Sequence, residues 1–439
     1  MQRKLSKIEK IIWTASPIPP LNYCLAARIS GTVSKEALLD ALQYLRQRFP
    51  SAFVRVLVDG DGQAWEESEG VPDAPLRVRD GCEDMDWQHV IEEELGEPFD
   101  LFTGPAFRLT LVRGIGFSDL VLTVHHGLAD GVSGVYLLYN LLGSLGDSHR
   151  PIESPILSPD LFDNIPRWVR AHPRVRAQDL LLRAVAPFLR VSSSLHRDKH
   201  QAAAPPEIPP PWKRFRVLTA ALTPAQTAKL VAECKRRDLS VHAAVCAAWL
   251  KASALQGIGG KKQVRKISSP INLRQRLSVP VGEAFGPYMS NIINKANCAP
   301  ERDFWEVARQ LMRGLTREAA GERPFMWILM MEASTLNLPE ADLAWVTSEF
   351  SRKPIDYDFS ISNLGRLNWP SQFGTLEVQA VYGPAVNTSE QEKTVGIITF
   401  AGQMTFTFTF RDFVIDADMA EQLLALALRQ LFLATDQPC

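Results

Sequence analysis

Between Leu120 and Gly131 the chain reads Leu-Val-Leu-Thr-Val-His-His-Gly-Leu-Ala-Asp-Gly, an apolar run that ends in two histidines and then an aspartate and a glycine. Beyond it Val135, Leu138, Leu142 and Leu145 recur at helical spacing. A central strand therefore hands over to a helix at the histidine pair, and the rest of the chain has to bury that corner. Strand-end loops of this kind are where rigid scaffolds place chemistry. Neighbouring side chains of an extended strand point to opposite faces, so His125 and His126 do not share one site unless the backbone turns there. This argues against a metal ion held by the pair with Asp130, and one histidine is expected to face the interdomain space while the other faces the core. An ordinary histidine, with a pKa of about 6.5, suits the removal of a proton from a hydroxyl or amine near neutral pH.

At 439 residues the chain exceeds the size at which one core stops growing, so about two domains of roughly 200 residues are expected. Hydrophobic residues at 46% and charged residues at 22% are ordinary globular values, and a net charge of -1 gives no global attraction to nucleic acid or an anionic membrane. Cys24, Cys82, Cys234, Cys246, Cys298 and Cys439 lie far apart with no C-x-x-C pair, which argues against zinc and against a disulfide framework. A reduced, cytoplasmic setting is the expectation. The N-terminus has no apolar signal region and no stretch of eighteen apolar residues occurs, so neither secretion nor membrane spanning is expected.

Periodicity supplies the elements. Asn22 to Ser30 reads as a strand, and Ser34 caps a helix whose Leu38, Leu42, Leu45 and Phe49 share a face. Ala52 to Val58 and the region of Trp65 form a hairpin around Asp59-Gly60-Asp61-Gly62, within an acidic stretch read as a solvated face: residues 59 to 100 hold fifteen acids against two arginines. Phe107 to Val112 and Leu120 to Val124 form an antiparallel hairpin. The second half restarts with a strand, Phe215 to Leu222, then helices opened by Thr223-Pro224 and by Ser240. Val264 to Asn272 is a strand, Asp303 to Ala320 and Met326 to Leu336 are helices, and later strands include Phe359 to Ser362, Leu376 to Tyr382, Gly396 to Phe400 and the alternating Met404 to Phe410. A helix over Asp416 to Leu433 closes the chain. Both halves thus mix antiparallel sheet with flanking helices, an α+β class with two related layers packed edge to edge.

Residues 164 to 214 hold ten Lys or Arg, three acids and a proline-rich run. They read as the crossover, with a helix near Ala177 to Val191. Leu180, Leu181 and Leu182 beside Arg183 and Arg190 offer a face to a membrane surface or an acidic carrier protein. The commoner role, a basic linker helix packed on its own domain's acidic face, is the expectation, so membrane contact is not.

His125-His126-Gly127-Leu128-Ala129-Asp130-Gly131 resembles the HHxxxDG motif of the CoA- and carrier-dependent acyltransferase superfamily, which includes chloramphenicol acetyltransferase, peptide-synthetase condensation domains, plant BAHD enzymes and free-standing polyketide-associated acyltransferases. Pro98-Phe99-Asp100-Leu101 with Gly104-Pro105 and Arg108 is similar to the segment upstream of that motif in condensation domains. Asn272-Leu273-Arg274-Gln275-Arg276 resembles a BAHD segment, and Ser362-Asn363-Leu364-Gly365 one found in free-standing members. The plant DFGWG motif is absent; Asp358-Phe359-Ser360 is at most a fragment of it.

The resemblance implies two chloramphenicol-acetyltransferase-like α/β sandwich subdomains with mixed, largely antiparallel sheets and an active-site tunnel between them. The expected division is 1–175, a crossover over 176–212, and 213–439. It implies His126 as general base, His125, Asp130, Gly131 and Arg274 as structural residues, an Asp130–Arg274 pair, and Asn363 or Ser362 as oxyanion or substrate-positioning groups. No bound cofactor or metal is expected; acyl-CoA or a phosphopantetheinyl carrier protein is the co-substrate. The implied reaction is acyl transfer to a small-molecule alcohol in natural-product or lipid biosynthesis, without a covalent enzyme intermediate, so Cys246 and Cys298 are not expected to act as nucleophiles. With no carrier domain in sight, a stand-alone enzyme acting in trans is expected. The alternatives are amide formation with an amine acceptor, or a non-catalytic carrier-binding member.

Overall fold

A computed structural model describes residues 2–5, 9–10, 20–60, 63–80, 86–151, 154–184, 214–258, 260, 262–337, 355–386, 388–389 and 391–436. In chain order the first half contributes β1 (Gln2–Lys4), β2 (Asn22–Ser30), α1 (Lys35–Arg48), β3 (Arg55–Val58), β4 (Ala64–Glu67), β5 (Leu76–Asp80), α2 (Asp86–Gly96), β6 (Phe107–Arg113), β7 (Phe117–His125) and α3 (Gly131–Gly146). A short helix α4 (Arg167–Ala171) and a helical stretch within 173–184 follow. The second half contributes β8 (Phe215–Leu222), α5 (Pro224–Arg236), α6 (Val241–Leu255), β9 (Val264–Asn272), β10 (Met289–Asn297), α7 (Phe304–Glu318) and α8 (Arg323–Asn337). It ends with β11 (Phe359–Arg366), β12 (Gln372–Phe373), β13 (Leu376–Val386), β14 (Thr394–Phe400), β15 (Gln403–Arg411) and α9 (Ala417–Asp436).

The class is α+β, with two six-stranded mixed sheets in the orders β12-β13-β2-β7-β6-β5 and β10-β9-β11-β14-β15-β8, and a small sheet β1-β4-β3. Among the described residues, parallel pairing is confined to β5 with β6 and to β11 with β14 and β9. Local chemistry sets the helix starts: Ser34 accepts from Ala37 N, Thr223 forms a reciprocal capping box with Gln226, and Ser240 accepts from Ala243 N. Such caps are typically worth about 1 kcal/mol each. The apolar faces of α1 and α3 bury against β2, β6 and β7, while α5, α6, α7 and α9 cover the second sheet around Trp249, Phe406 and Phe408.

One segment departs from any contiguous division of the chain. β13, although it follows β11, crosses to the first sheet and pairs antiparallel with β2 from Val378↔Ile29 to Val386↔Tyr23. The alternation of β15 explains how this seam closes. Its phenylalanines enter the second core, while its threonines face the first sheet: Thr405 Oγ1 donates to Val381 O at 3.0 Å and Thr407 Oγ1 accepts from Gly383 N at 3.0 Å. The same seam continues at β8 and α2, where Val217 N donates to Glu92 at 2.9 Å and Trp87 stacks on Tyr382 of β13.

Four strands lie where no strand was expected, the short β1 and β12 among them. β5 sits inside the acidic stretch, and β10, Met-Ser-Asn-Ile-Ile-Asn-Lys-Ala-Asn, is an edge strand that carries three asparagines, a serine and a lysine. Edge strands keep such residues because one side meets solvent rather than a core. The crossover also differs from expectation. Val169 and Val175 pack with Phe325, Ile328 and Leu329, and Arg170 and Arg174 pair with Glu332 and Glu322, both at 2.9 Å. The acids it meets belong to the second half, because the first half's acidic stretch is occupied by its own arginines, such as Arg77 on Glu94 and Glu97. Arg183 pairs with Asp179 one turn away, with Leu180 and Leu181 exposed; Arg190 and the rest of the expected helix lie outside the described residues.

Candidate active site

β7 is central in its sheet, between β2 and β6, and its last residue is His125. The chain turns there: Leu128 N bonds His125 O, and His126 N bonds Leu21 O at 2.7 Å. His125 points inward and is buried. Its Nδ1 accepts from Gly127 N at 3.2 Å, and its ring meets Phe99 edge-on, which in turn lies under Arg108. Arg108 is itself held by Glu94 and by the Glu94 and Glu97 carbonyls. The segment 98–101 is therefore a buttress for His125.

His126 is half-buried and lines a cleft between the halves. Its Nδ1 lies 3.1 Å from Ala129 O. A carbonyl oxygen only accepts, so Nδ1 carries the proton and Nε2 keeps its lone pair. The Tyr23 ring packs edge-on against the imidazole with centroids 5.3 Å apart, and the Tyr23 hydroxyl donates to Asp130 O at 2.6 Å. Tyr23 fits because position 134 is glycine: a Cβ there would stand 2.8 Å from the Tyr23 hydroxyl.

Asp130 does not reach the His126 ring. Its carboxylate caps α3, Oδ1 accepting from Ser133 N at 2.8 Å and from Ser133 Oγ at 3.0 Å. Oδ2 takes Arg274 Nη1 at 2.6 Å, with both side chains buried. Arg274 Nη2 continues to Ser133 Oγ and Ala284 O, and the guanidinium lies over the Tyr288 ring. Ser133 Oγ also meets Gly286 N and O, at 3.0 and 2.9 Å. The network joins the start of α3 to the segment after β9. Gly131 begins α3, and its constraint is a close neighbour rather than an unusual backbone: a Cβ would meet Leu364 Cδ2 at 3.2 Å.

The opposite wall comes from the second sheet, which is split. β11 pairs with β9 only at Phe359↔Ile267 and Ser360↔Ser268, whereas β9 runs on with β10 to Asn272 and β11 runs on with β14 to Arg366. Between the diverging ends lie Pro270, Ile271 and Asn272 on one side and Ser362, Asn363 and Leu364 on the other, all lining the cleft. Asn363 Oδ1 accepts from Gly365 N at 2.8 Å across a bulge in β11, which leaves its Nδ2 as the available donor. Asn272 Oδ1 likewise accepts from Arg274 N. The structure thus brings His126, Asp130, Gly131, Ser362 and Asn363 to one cleft, with Arg274 behind Asp130 and His125 turned away. Among the cleft and clamp residues that sequence reasoning missed are Tyr23, Ser133, Asn291 and Glu392; the spacing of Ser133 as the N3 partner of an Asp cap was the one local signal for any of these four.

The cysteines sit apart from this chemistry. Burial pushes the Cys246 thiol up to about 12 and the Cys298 thiol up to about 11, and neither lines the cleft. Two histidines, the buried His125 and the half-buried His242, are instead held neutral. Burial, assisted by nearby His126 and Arg108, lowers His125 to about 3, and burial lowers His242 to about 4. Below the ordinary value of about 6.5 the unfolded chain binds protons that the folded chain refuses. The stability tied to these rings is present above that value and is lost as pH falls toward 4. Burial beside Glu9 raises Glu66, which works in the opposite sense. The thermal midpoint should nonetheless fall from pH 6.5 to pH 4, and His125→Gln should make the slope shallower. A slope unchanged in that variant would mean that His125 is not the group refusing the proton.

Residues 211–409 match the family described as Phthiocerol/phthiodiolone dimycocerosyl transferase C-terminus. Among curated proteins, a linear gramicidin synthase of Brevibacillus parabrevis is 30% identical over 149 residues, 31% of this chain and 3% of that protein. The chain spans about 3% of the length of the first curated relatives it matches. Among solved structures, TRI3 trichothecene 15-O-acetyltransferase from Fusarium sporotrichioides superimposes with a TM-score of 0.71 at 12% identity, covering 99% of this chain and 95% of that one. The first condensation domain of the calcium-dependent antibiotic synthetase gives 0.67 at 15% identity, covering 99% and 97%. By the match in its second half and by architecture over nearly its whole length, the chain has the fold of the superfamily that unites condensation domains with chloramphenicol-acetyltransferase-like acyltransferases.

Proposed function

We propose that the protein is an acyltransferase that moves an acyl group from a CoA or carrier-protein thioester to an alcohol. The observation that carries the reading is His126: Nδ1 is committed to Ala129 O, and the basic Nε2 is left for the cleft where the two halves meet. A base with a fixed tautomer and ring orientation is what proton abstraction from a hydroxyl requires. The likeness to an O-acetyltransferase and to condensation domains supports the same class of chemistry.

In this reading Nε2 takes the proton of the acceptor hydroxyl as its oxygen attacks the thioester carbonyl carbon. Charge develops on the carbonyl oxygen, where Asn363 Nδ2 and the Ser362 hydroxyl, both on the cleft wall, act as donors. Collapse expels the thiolate, which takes the proton back from the imidazolium. The Tyr23 ring and the Ala129 carbonyl support that imidazolium, a task Asp130 cannot perform because Arg274 and Ser133 engage both of its oxygens. A carrier-protein donor is supported by the synthetase relatives. Acyl-CoA and an acyl-phosphopantetheinyl carrier protein, each offered with long-chain alcohols or amines, should give acceptor-dependent thiol release and an ester by mass spectrometry. Products that are amides alone would assign the chain to the condensation chemistry, and no acceptor dependence with either donor would leave the fold without the transfer.

A further inference from the structure

We propose that Asn291 is a specificity-determining residue of this cleft, whose side-chain carbonyl accepts a hydrogen bond from an O–H or N–H group on the ligand near the reacting atom. The inference rests on the acyltransferase reading above. Asn291 Oδ1 is buried and has no hydrogen-bond partner. Among the described residues it is the one buried, unpartnered side-chain atom that belongs to a cleft-lining residue. A buried acceptor of this kind is costly to leave unmade, so native chains nearly always satisfy it, and a ligand-binding cleft is where the partner arrives with the ligand.

The strand pairing explains why the protein does not satisfy Asn291 itself. In the β9–β10 ladder Asn291 stands directly opposite Pro270. Directly opposed residues share a face of the sheet, so the neighbour offered to Asn291 is a pyrrolidine ring, with no donor. The next strand over has already left, because β11 parts from β9 after Ser268. Two residues along the same face, Asn272 opposes Met289, and Asn272 has committed its own oxygen to the Arg274 amide. Asn291 is therefore an acceptor mounted on a strand and facing the split.

Two parts of the reacting pair carry such a donor: a second hydroxyl on the acceptor, and the amide N–H of the thioester arm. Kinetics with matched substrates separates them. One pair is octane-1,2-diol and 1-methoxyoctan-2-ol; the other is S-octanoyl N-acetylcysteamine, which has an amide N–H, and S-octanoyl 2-methoxyethanethiol, which has none. For one pair the wild type should favour the donor-bearing member by roughly tenfold in kcat/KM. Asn291→Leu should erase that preference through KM while leaving the methyl ether's rate unchanged, and Asn291→Asp, which can only accept, should retain it. The pair that responds identifies the source. An undiminished preference in Asn291→Leu, or no preference in the wild type, overturns the assignment. Loss of the preference in Asn291→Asp overturns it too, since the NH2 group would then be the reader. Should no substrate turn over in the wild type, the acyltransferase reading falls. Thermal stabilisation by octane-1,2-diol compared with 1-methoxyoctan-2-ol, and by N-acetylcysteamine compared with 2-methoxyethanethiol, then decides Asn291: a difference lost in Asn291→Leu supports it, and equal shifts in both pairs overturn it.

Discussion

His126→Ala should lower acceptor-dependent acyl transfer by about 10²- to 10⁴-fold, the range that a positioned general base supplies. The fold should survive, because His126 is half-buried at a cleft wall and its one side-chain bond goes to Ala129 O, three residues away. The loss should fall on kcat, since the ring acts on the moving proton rather than on ground-state binding. His125→Ala should behave differently. His125 is packed on Phe99 and accepts from Gly127 N in the interior, so its removal should cost stability first and activity only through the displaced turn. Stopped assays of thiol release, run beside thermal melts of both variants, separate these outcomes. A His126→Ala enzyme with undiminished transfer would rule out the imidazole as the base.

Arg274→Ala should produce the largest structural effect. Arg274 and Asp130 are both buried and 2.6 Å apart, so truncating the arginine strands a carboxylate that α3 still needs as its cap. Breaking a buried pair from one side typically costs about 3–5 kcal/mol. With about 2 cal/mol/K of unfolding entropy per residue, that corresponds to a midpoint lower by roughly 4 °C for a chain of this length. Charge is the cause, so removing both partners should be milder than removing one. Arg274→Met combined with Asp130→Asn should recover part of the midpoint, while Arg274→Ala alone should also lower transfer, because Gly286, Ser133 and Tyr288 lose their common anchor. A melt of Arg274→Ala that overlies the wild type would show that the pair does not hold the two halves' segments together.

Much of the secondary structure was legible locally. The period of Leu38, Leu42 and Leu45, the caps at Ser34, Thr223 and Ser240, and the alternation of β15 all depend on residues within a few positions of one another. The handover from strand to helix at the histidine pair is of the same kind. What is absent from the local pattern is long-range. Arg274 and Asp130 are 144 residues apart, and only resemblance suggested their pairing. The split between β9 and β11 follows from which strands stop pairing, and no residue announces that. Pro270 hints at it, since proline inside a strand marks a place where a ladder is incomplete. β10 was missed because asparagines and a lysine in an edge strand read as loop, and with it went Asn291. The meaning of the β15 threonines was equally hidden: alternation predicts a wet outer face, whereas Thr405 and Thr407 bond the other sheet.

β13 gives the molecule a property that a description of two halves leaves out. A strand that belongs to one half by sequence and to the other by pairing works as a stitch, and the cleft runs beside it: Pro384 and Val386 of β13 line the same space as His126. Swinging the walls apart would mean unpicking the ladder from Val378 to Val386 and the threonine bonds behind it. The halves are thus stitched rather than hinged at this seam, and the spacing between the imidazole and the facing amides is set by weaving rather than by closure.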